Sequence, residues 1–349
     1  MRGTVFAIIA VVGAVIATVS PAGAWDYPGH RIVGAIADFV LSSHHPKEYA
    51  KIKGLLEGKD ADGNKLERTL SNVAVFPDCA KAHNVPYCGR TPSAEEKAYT
   101  LSNPHHGDYH FTDIPIQQTK YDPDSKILEK YDVVKMINYV IAQLLKKSPQ
   151  MDEVKLSDAE AVWLLAHLVG DIHQPLHVGA LYYDKDTCKV VKDPTTVGME
   201  NVVPTVGGNN ILLVSSAPPP AAPPHDKFHL YWDGTVVKNA MKAAGWPGAE
   251  QDFARLLAAS PPAGWKTKED PGAWATQWAT EIMPLAKAAH TKLKIVFKER
   301  KVSSSGRVSC FWTTTIPPSY ATWASQQARV QLAKAGFRLA ALLAEVFKD

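Results

Sequence analysis

Residues 157–177 read SDAEAVWLLAHLVGDIHQPLH. Ser157 followed three residues later by Glu160 is a capping box, in which each side chain satisfies a backbone N–H that the first helical turn leaves without a partner. It predicts a helix from here through about residue 173. On that helix His167 and Asp171 are four residues apart and project from one face. Pro175 ends the helix, since it has no N–H to donate and its ring clashes with a preceding turn. The chain can then swing His177 back toward that face.

Helical spacing continues on both sides. Ile32, Val33, Ile36, Phe39 and Val40 recur at helical intervals within residues 29–41, and Val133, Val134, Ile137, Val140, Ile141 and Leu144 do so within 132–146. Two further helices are expected near 272–297 and 321–347. Alternating strand patterns are scarce. Residues 181–227, with Gly207-Gly208 and a Pro-rich run over 217–224, are expected to be a long irregular surface excursion, and residues 301–319 another. The fold class this predicts is mainly α: one helical domain over residues 25–349 with long irregular loops.

The N-terminus has a different character. Arg2 precedes the apolar run VFAIIAVVGAVIATVS (5–20), and Pro21-Ala22-Gly23-Ala24 is a small-residue cleavage site. Residues 1–24 are expected to be a signal peptide cut between Ala24 and Trp25, placing the mature chain in a secreted or periplasmic location. The run is short for a membrane-spanning helix, which needs about 20 residues. The formal charge is +3, and Arg2 contributes one of those. That balance is too weak to bind nucleic acid through bulk electrostatics, so any attraction for phosphate must be local. The four cysteines are Cys79, Cys88, Cys188 and Cys310, with no C-x-x-C pair. An even count in an exported chain favours two disulfides. Cys79–Cys88 is the preferred pair, because the loop is short and contains Asn84 and Pro86.

A second His-x3-Asp pair, His229 and Asp233 in FHLYWD (228–233), repeats the spacing of His167 and Asp171. Two such pairs on an apolar background are a better metal signal than either alone. Imidazole and carboxylate donors without thiolate suit zinc in a catalytic site.

These motifs fall into a longer pattern. Trp25, His30, Asp78, His110-Phe111, His167/Asp171/His177 with Gln174-Pro-Leu-His177, Gly207-Gly208-Asn209 and His229/Asp233 follow one another in the order found in the secreted zinc nucleases typified by nucleases S-one and P-one. The chain resembles that family, which is related to zinc phospholipase C, over about residues 25–240; residues 327–343 resemble its terminal helix. His110 is preferred to His105 and His106 because Phe111 follows it.

The resemblance implies a phospholipase C/nuclease-like helical fold and three zinc ions; a monomer is assumed. Asp78, His110, His167 and Asp171 would hold one ion. The α-amino nitrogen and carbonyl oxygen of Trp25 would hold a second with His30 and Asp171, which bridges the pair. His177, His229 and Asp233 would hold the third. Three divalent ions against three carboxylates leave about +3 at the site, enough to attract a phosphodiester. Asp78, Asp171 and Lys81 would be catalytic, and Gly208 and Asn209 would lie near substrate. The implied reaction is hydrolysis of single-stranded DNA and RNA to 5′-phosphorylated products, with 3′-nucleotidase activity. Base stacking would draw on Tyr109, Tyr182, Tyr183, Phe228 and Tyr231. His173 is expected beside the ligands or on the surface. A zinc phospholipase C and a non-catalytic zinc-stabilised helical protein are the two other readings; Asp233 and the Gly-Gly-Asn turn favour nuclease.

Overall fold

The computed structural model describes residues 25–59, 65–66, 68–81, 92–147, 149, 151–194, 201–214, 227–268 and 270–348. Residues 1–24, expected to be a signal peptide, Cys88 and the Pro-rich run 217–224 lie outside them. The helix opened by the capping box spans Asp158–Asp171, with Glu160 N–H donating to Ser157 Oγ at 3.2 Å and Ser157 N–H to Glu160 Oε2 at 2.7 Å. Every residue from Ala161 to Asp171 is buried. A helix apolar on all sides is enclosed on all sides, and this one is the centre of the molecule.

Numbered in chain order, the helices are α1 (Tyr27–His44), α2 (Pro46–Leu56), α3 (Leu70–Val73), α4 (Phe76–Ala80), α5 (Ala94–Ser102), α6 (Val133–Leu144), α7 (Asp158–Asp171), α8 (Pro175–Val178), α9 (Phe228–Leu230), α10 (Val236–Ala243), α11 (Glu250–Ala258), α12 (Pro271–Thr291) and α13 (Pro318–Val346). The strands are β1 (Gly58–Lys59), β2 (Lys65–Leu66), β3 (Ile114–Pro115), β4 (Gly179–Ala180), β5 (Tyr182–Asp184), β6 (Val202–Pro204), β7 (Ile211–Leu213), β8 (Val296–Val302) and β9 (Val308–Thr314). Asp26 caps α1 by accepting from Tyr27 N–H at 2.9 Å. Asp132 caps α6 through Val134 and Lys135 N–H. Around α7 pack α1, α3, α4, α6 and α13, with α12 against α6 and α8. The apolar core runs from Trp25 to Val346 without interruption. Among the described residues no helix is long and apolar enough to cross a membrane.

The structure corrects two loop expectations. Residues 301–319 are not irregular: β8 and β9 form an antiparallel hairpin, and β7 joins β9 in parallel. The helix expected to reach 297 accordingly stops at Thr291. Within 181–227, β5 pairs with β6, Gly207 and Gly208 are buried rather than on the surface, and Cys188 is disulfide-bonded to Cys310. Cys79 is buried in α4.

The long helices α1 and α13 touch where Gly336 leaves room for Ile36: a Cβ on Gly336 would stand 2.5 Å from Ile36 Cβ. Ile36 is fully buried and has no open side to move into. In an open helix Gly→Ala gains up to about 1 kcal/mol, but overpacking a full core costs about 1–3 kcal/mol. Gly336→Ala should therefore lower the denaturation midpoint; a raised midpoint would mean that the two helices are not in this contact.

Candidate metal centre

Six pieces of chain aim polar side chains at one end of α7, which adds two of its own. His30 lies one turn into α1, and Asp78 in α4, whose Pro77 starts the turn. His110 closes a short 3-10 turn, Asp108–His110, and α7 carries His167 and Asp171. His177 lies in α8, His229 in α9, and Asp233 in a π-helical turn, Tyr231–Thr235. Such turns are rare and recur at functional sites. All eight of these side chains are buried.

They converge as three groups: Asp78/His110/His167, His30/His167/Asp171 and His177/His229/Asp233. In the first, His110 Nδ1 stands 2.9 Å from His167 Nε2 and 3.0 Å from Asp171 Oδ2. His167 Nε2 lies 3.1 Å from the same Asp171 oxygen and 3.7 Å from Asp78 Oδ1. Donors arranged tetrahedrally at about 2.0–2.2 Å from an ion stand roughly 3.3–3.6 Å apart, a spacing that the observed 2.9–3.7 Å brackets. Asp171 faces two ways: its Oδ1 lies 3.3 Å from His30 Nε2, while Oδ2 faces His110 and His167. In the third group His229 Nε2 is 3.4 Å from Asp233 Oδ2, and His177 Nε2 is 3.7 Å from Asp233 Oδ1.

The imidazoles are held by their far nitrogens. Nδ1 of His167 donates to the Ala74 carbonyl at 2.6 Å, that of His177 to the His110 carbonyl at 2.7 Å, and that of His229 to the Gly207 carbonyl at 2.9 Å. Each bond fixes the tautomer that leaves the Nε2 lone pair pointing into the cluster. Burial holds His30, His167 and His229 down at about 4, and drives His110 and His177 below the usual histidine value as well. Burial pushes Asp78 up, but Lys81, at 2.7 Å, and the nearby histidines outweigh it and bring the carboxyl to about 2. Burial raises Asp171, against the pull of the neighbouring His30 imidazole, and lifts Asp233 to about 7 despite His229. Neutral imidazoles are ready donors, and the two raised carboxyls are the groups a cation would keep ionised. His30 Nε2, Asp171 Oδ1, His177 Nε2 and Asp233 Oδ2 are buried without a hydrogen-bond partner. Buried polar atoms normally have one; four lone pairs converging without it fit a metal-binding set.

A cavity of about 560 Å³ opens over these groups, with Lys81, His110, Phe111, His177, Asn209 and His229 on its wall. Lys81 is therefore not a solvated surface lysine; its side chain is 6% exposed. Gly207 and Gly208 have φ of +53° and +87°, and a Cβ on Gly207 would stand 2.3 Å from the Leu176 carbonyl. This turn aims the Gly207 carbonyl at His229 and brings Asn209 to the cavity, while Gly208 packs against Phe228. Trp25 lies beside the second group: its side chain packs on Gly29, and a Cβ on Gly170 would touch both His30 and the Trp25 ring.

The stacking expectation changes, and the readings of three histidines become specific. Tyr109, Tyr182, Tyr183, Phe228 and Tyr231 are all buried in the core, so none offers an open stacking face; the partly exposed rings on the cavity wall are Phe111 and Phe311. His173 is not on the surface: its Nδ1 donates to the Val169 carbonyl at 2.7 Å and its Nε2 accepts from Arg338 at 2.9 Å. His105 is part-exposed beside Glu153 and outside the three groups, whereas His106 lines the cavity.

Two further residues support the site. Gln174 donates to Asp233 Oδ1 at 2.6 Å while its Oε1 accepts from Leu176 N–H, so it orients one carboxylate and caps α8. Asp113 adopts φ +46°, unusual for a non-glycine residue, and accepts from Gly207 N–H at 2.9 Å. Burial raises its carboxyl to about 7.

The sequence has counterparts among known proteins. Over 164 residues the chain is 30% identical to Endonuclease 4 of Arabidopsis thaliana, a stretch that covers 45% of this chain and 46% of that protein. The chain thus spans about half the length of that curated relative. The sequence pattern of S1/P1 Nuclease matches residues 25–348, which begins at Trp25 and takes in all three groups and the terminal helix. On that match the chain belongs to the S1/P1 nuclease family.

Proposed function

We propose that this chain is a zinc-dependent phosphodiesterase that hydrolyses single-stranded DNA and RNA to 5′-phosphorylated products and removes phosphate from 3′-nucleotides. The observation that carries the reading is Asp171, whose two oxygens face two different donor groups at one end of the cavity. A carboxylate so placed suits two neighbouring cations, and the third group stands beside them on the same wall. Histidine and carboxylate donors without thiolate favour zinc. When bound, such ions polarise a phosphoryl oxygen and lower the pKa of water toward neutrality.

The chain's own residues supply the rest. Lys81, paired with Asp78 and facing the cavity, offers a cation to a phosphate oxygen. Asn209 offers a side-chain amide whose Oδ1 is buried without a partner. Trp25 completes the second group through its amine and carbonyl, once cleavage after Ala24 has made that amine. Removal of residues 1–24 thereby joins export to assembly of the site. The Cys188–Cys310 disulfide supports an oxidising compartment.

Protein purified without chelator should contain about three zinc ions per chain by elemental analysis. It should cut single-stranded DNA, RNA and 3′-nucleotides and leave phosphatidylcholine intact. Hydrolysis of phosphatidylcholine in preference to nucleic acid would favour a phospholipase C, and one zinc per chain would overturn the ligand assignment.

A further inference from the structure

Phe311, in a segment that reads as loop, stands on β9 and lines the cavity above the donor groups. Cross-strand pairing puts Glu299 opposite Phe311 and Lys301 opposite Ser309. Residues two apart on a strand share a face, so Lys301 and Phe311 lie on one face of the hairpin. Lys301 Nζ is 5.3 Å from the centre of the Phe311 ring. The opposite face is anchored: Cys310 is tied to Cys188, and Trp312 is buried against Tyr183.

Charge is concentrated on this hairpin. Residues 296–314 hold Lys298, Arg300, Lys301 and Arg307 against Glu299 alone, a formal balance of +3. The whole chain also carries +3, one of it from Arg2, so the remainder of residues 25–349 is slightly negative. Lysines on an edge strand also deter pairing with other chains. That role, with the ion pairs of Lys298 and Lys301 to Glu299 at 3.6 and 3.2 Å, explains the charge on β8 but not an aromatic ring on the cavity wall. Phe297 on β8 pairs with Trp312 and lies on the anchored face. An aromatic ring on the cavity wall beside a basic strand matches what an unpaired strand requires: a π-face for a base and a positive track for its backbone.

We infer that the β8–β9 hairpin is the binding arm for single-stranded nucleic acid. Phe311 stacks a base at the cavity, and Lys301 with Lys298 carries phosphates of the strand as it leaves. The inference rests on the nuclease reading and adds to it the surface that makes a long strand a better substrate than a short ester.

The test uses the zinc-loaded protein, a 20-nucleotide oligothymidylate and bis(p-nitrophenyl) phosphate. Lys298→Gln with Lys301→Gln removes both charges and leaves a shorter, polar side chain at each exposed position. Each phosphate contact on a single strand contributes about 0.7 to the slope of log affinity against log salt. The double variant should therefore flatten the salt dependence of KM for the oligonucleotide by about 1.4. Phe311→Leu retains an apolar side chain in β9. It should lower the ratio of kcat/KM for the oligonucleotide to that for the small ester roughly tenfold, mainly through KM, as loss of one stacked base would. If both folded variants keep the parental ratio and salt slope, the hairpin is not the binding arm. If the parent protein hydrolyses the small ester but not the oligonucleotide, the nuclease reading falls and the hairpin assignment falls with it.

Discussion

Asp171→Asn is expected to lower kcat/KM for single-stranded DNA by more than a hundredfold and to reduce zinc content by at least one ion per chain. Asparagine preserves the shape of the side chain but replaces one lone-pair-bearing oxygen with an NH2 group, which cannot serve a cation. In the parent, Oδ1 faces His30 at 3.3 Å, and Oδ2 faces His110 at 3.0 Å and His167 at 3.1 Å. One substitution thus reaches two donor groups. Removing a supporting neighbour of a metal ligand typically costs 10–100-fold, and loss of a shared donor should exceed that. His173→Ala, two residues away, is the matched comparison. It leaves Arg338 one acceptor short, although Glu281 and the carbonyls of Trp265 and Gly264 continue to hold the guanidinium. The expected cost is about 1–3 kcal/mol of stability, with kcat/KM of the folded protein changed only severalfold. If His173→Ala proved the more damaging to kcat/KM at equal folded fraction, the assignment of Asp171 would be wrong.

A form of the protein that keeps one extra residue in front of Trp25 should lose the zinc shared with His30 and most of its activity. The extra residue turns the primary amine into an amide, which is no ligand at neutral pH, and displaces the chelating pair. The other two groups draw on Asp78, His110, His167, His177, His229 and Asp233, whose positions are set by α4, α7, α8 and the 228–235 turn. Zinc content should fall from about three toward about two, while helicity by circular dichroism stays near the parent. Trp25→Ala with a free amine separates the backbone from the ring. It retains both chelating atoms and should keep most of the zinc shared with His30, while emptying the site of a buried ring costs about 3–5 kcal/mol of stability. Equal zinc and equal activity in the extended and cleaved forms would end the proposal that processing completes the site.

The helices were legible because their signals are local. Ser157 and Glu160 announce α7 within four residues, and both bonds of the box are formed. Asp132 begins α6, and the spacing of His167 and Asp171 puts both at one end of a central helix. The union of Asp78 and His110 with them was legible only through the resemblance. No local rule brings α4 and a 3-10 turn to α7, and the bond that orients His167 comes from Ala74, 93 residues away.

Where local signals were silent or two-sided, packing decided. β8 carries charged residues on both faces because it is an exposed edge strand, so the alternation that marks a half-buried strand is missing from VFKERKV. Ring type marks a residue as able to stack but says nothing of its surroundings; five tyrosine and phenylalanine candidates went into the core while Phe111 and Phe311 reached the cavity. His173 and His177 look alike in DIHQPLH, yet one is turned to Arg338 and the other to Asp233. The sequence by itself determined a mainly helical chain with His-x3-Asp donor pairs, since capping and helical periodicity act over a few residues. Tertiary structure alone decided which histidines converge, which aromatic rings line the cavity and where the basic hairpin lies, because those follow from burial of side chains tens to hundreds of residues apart against α7.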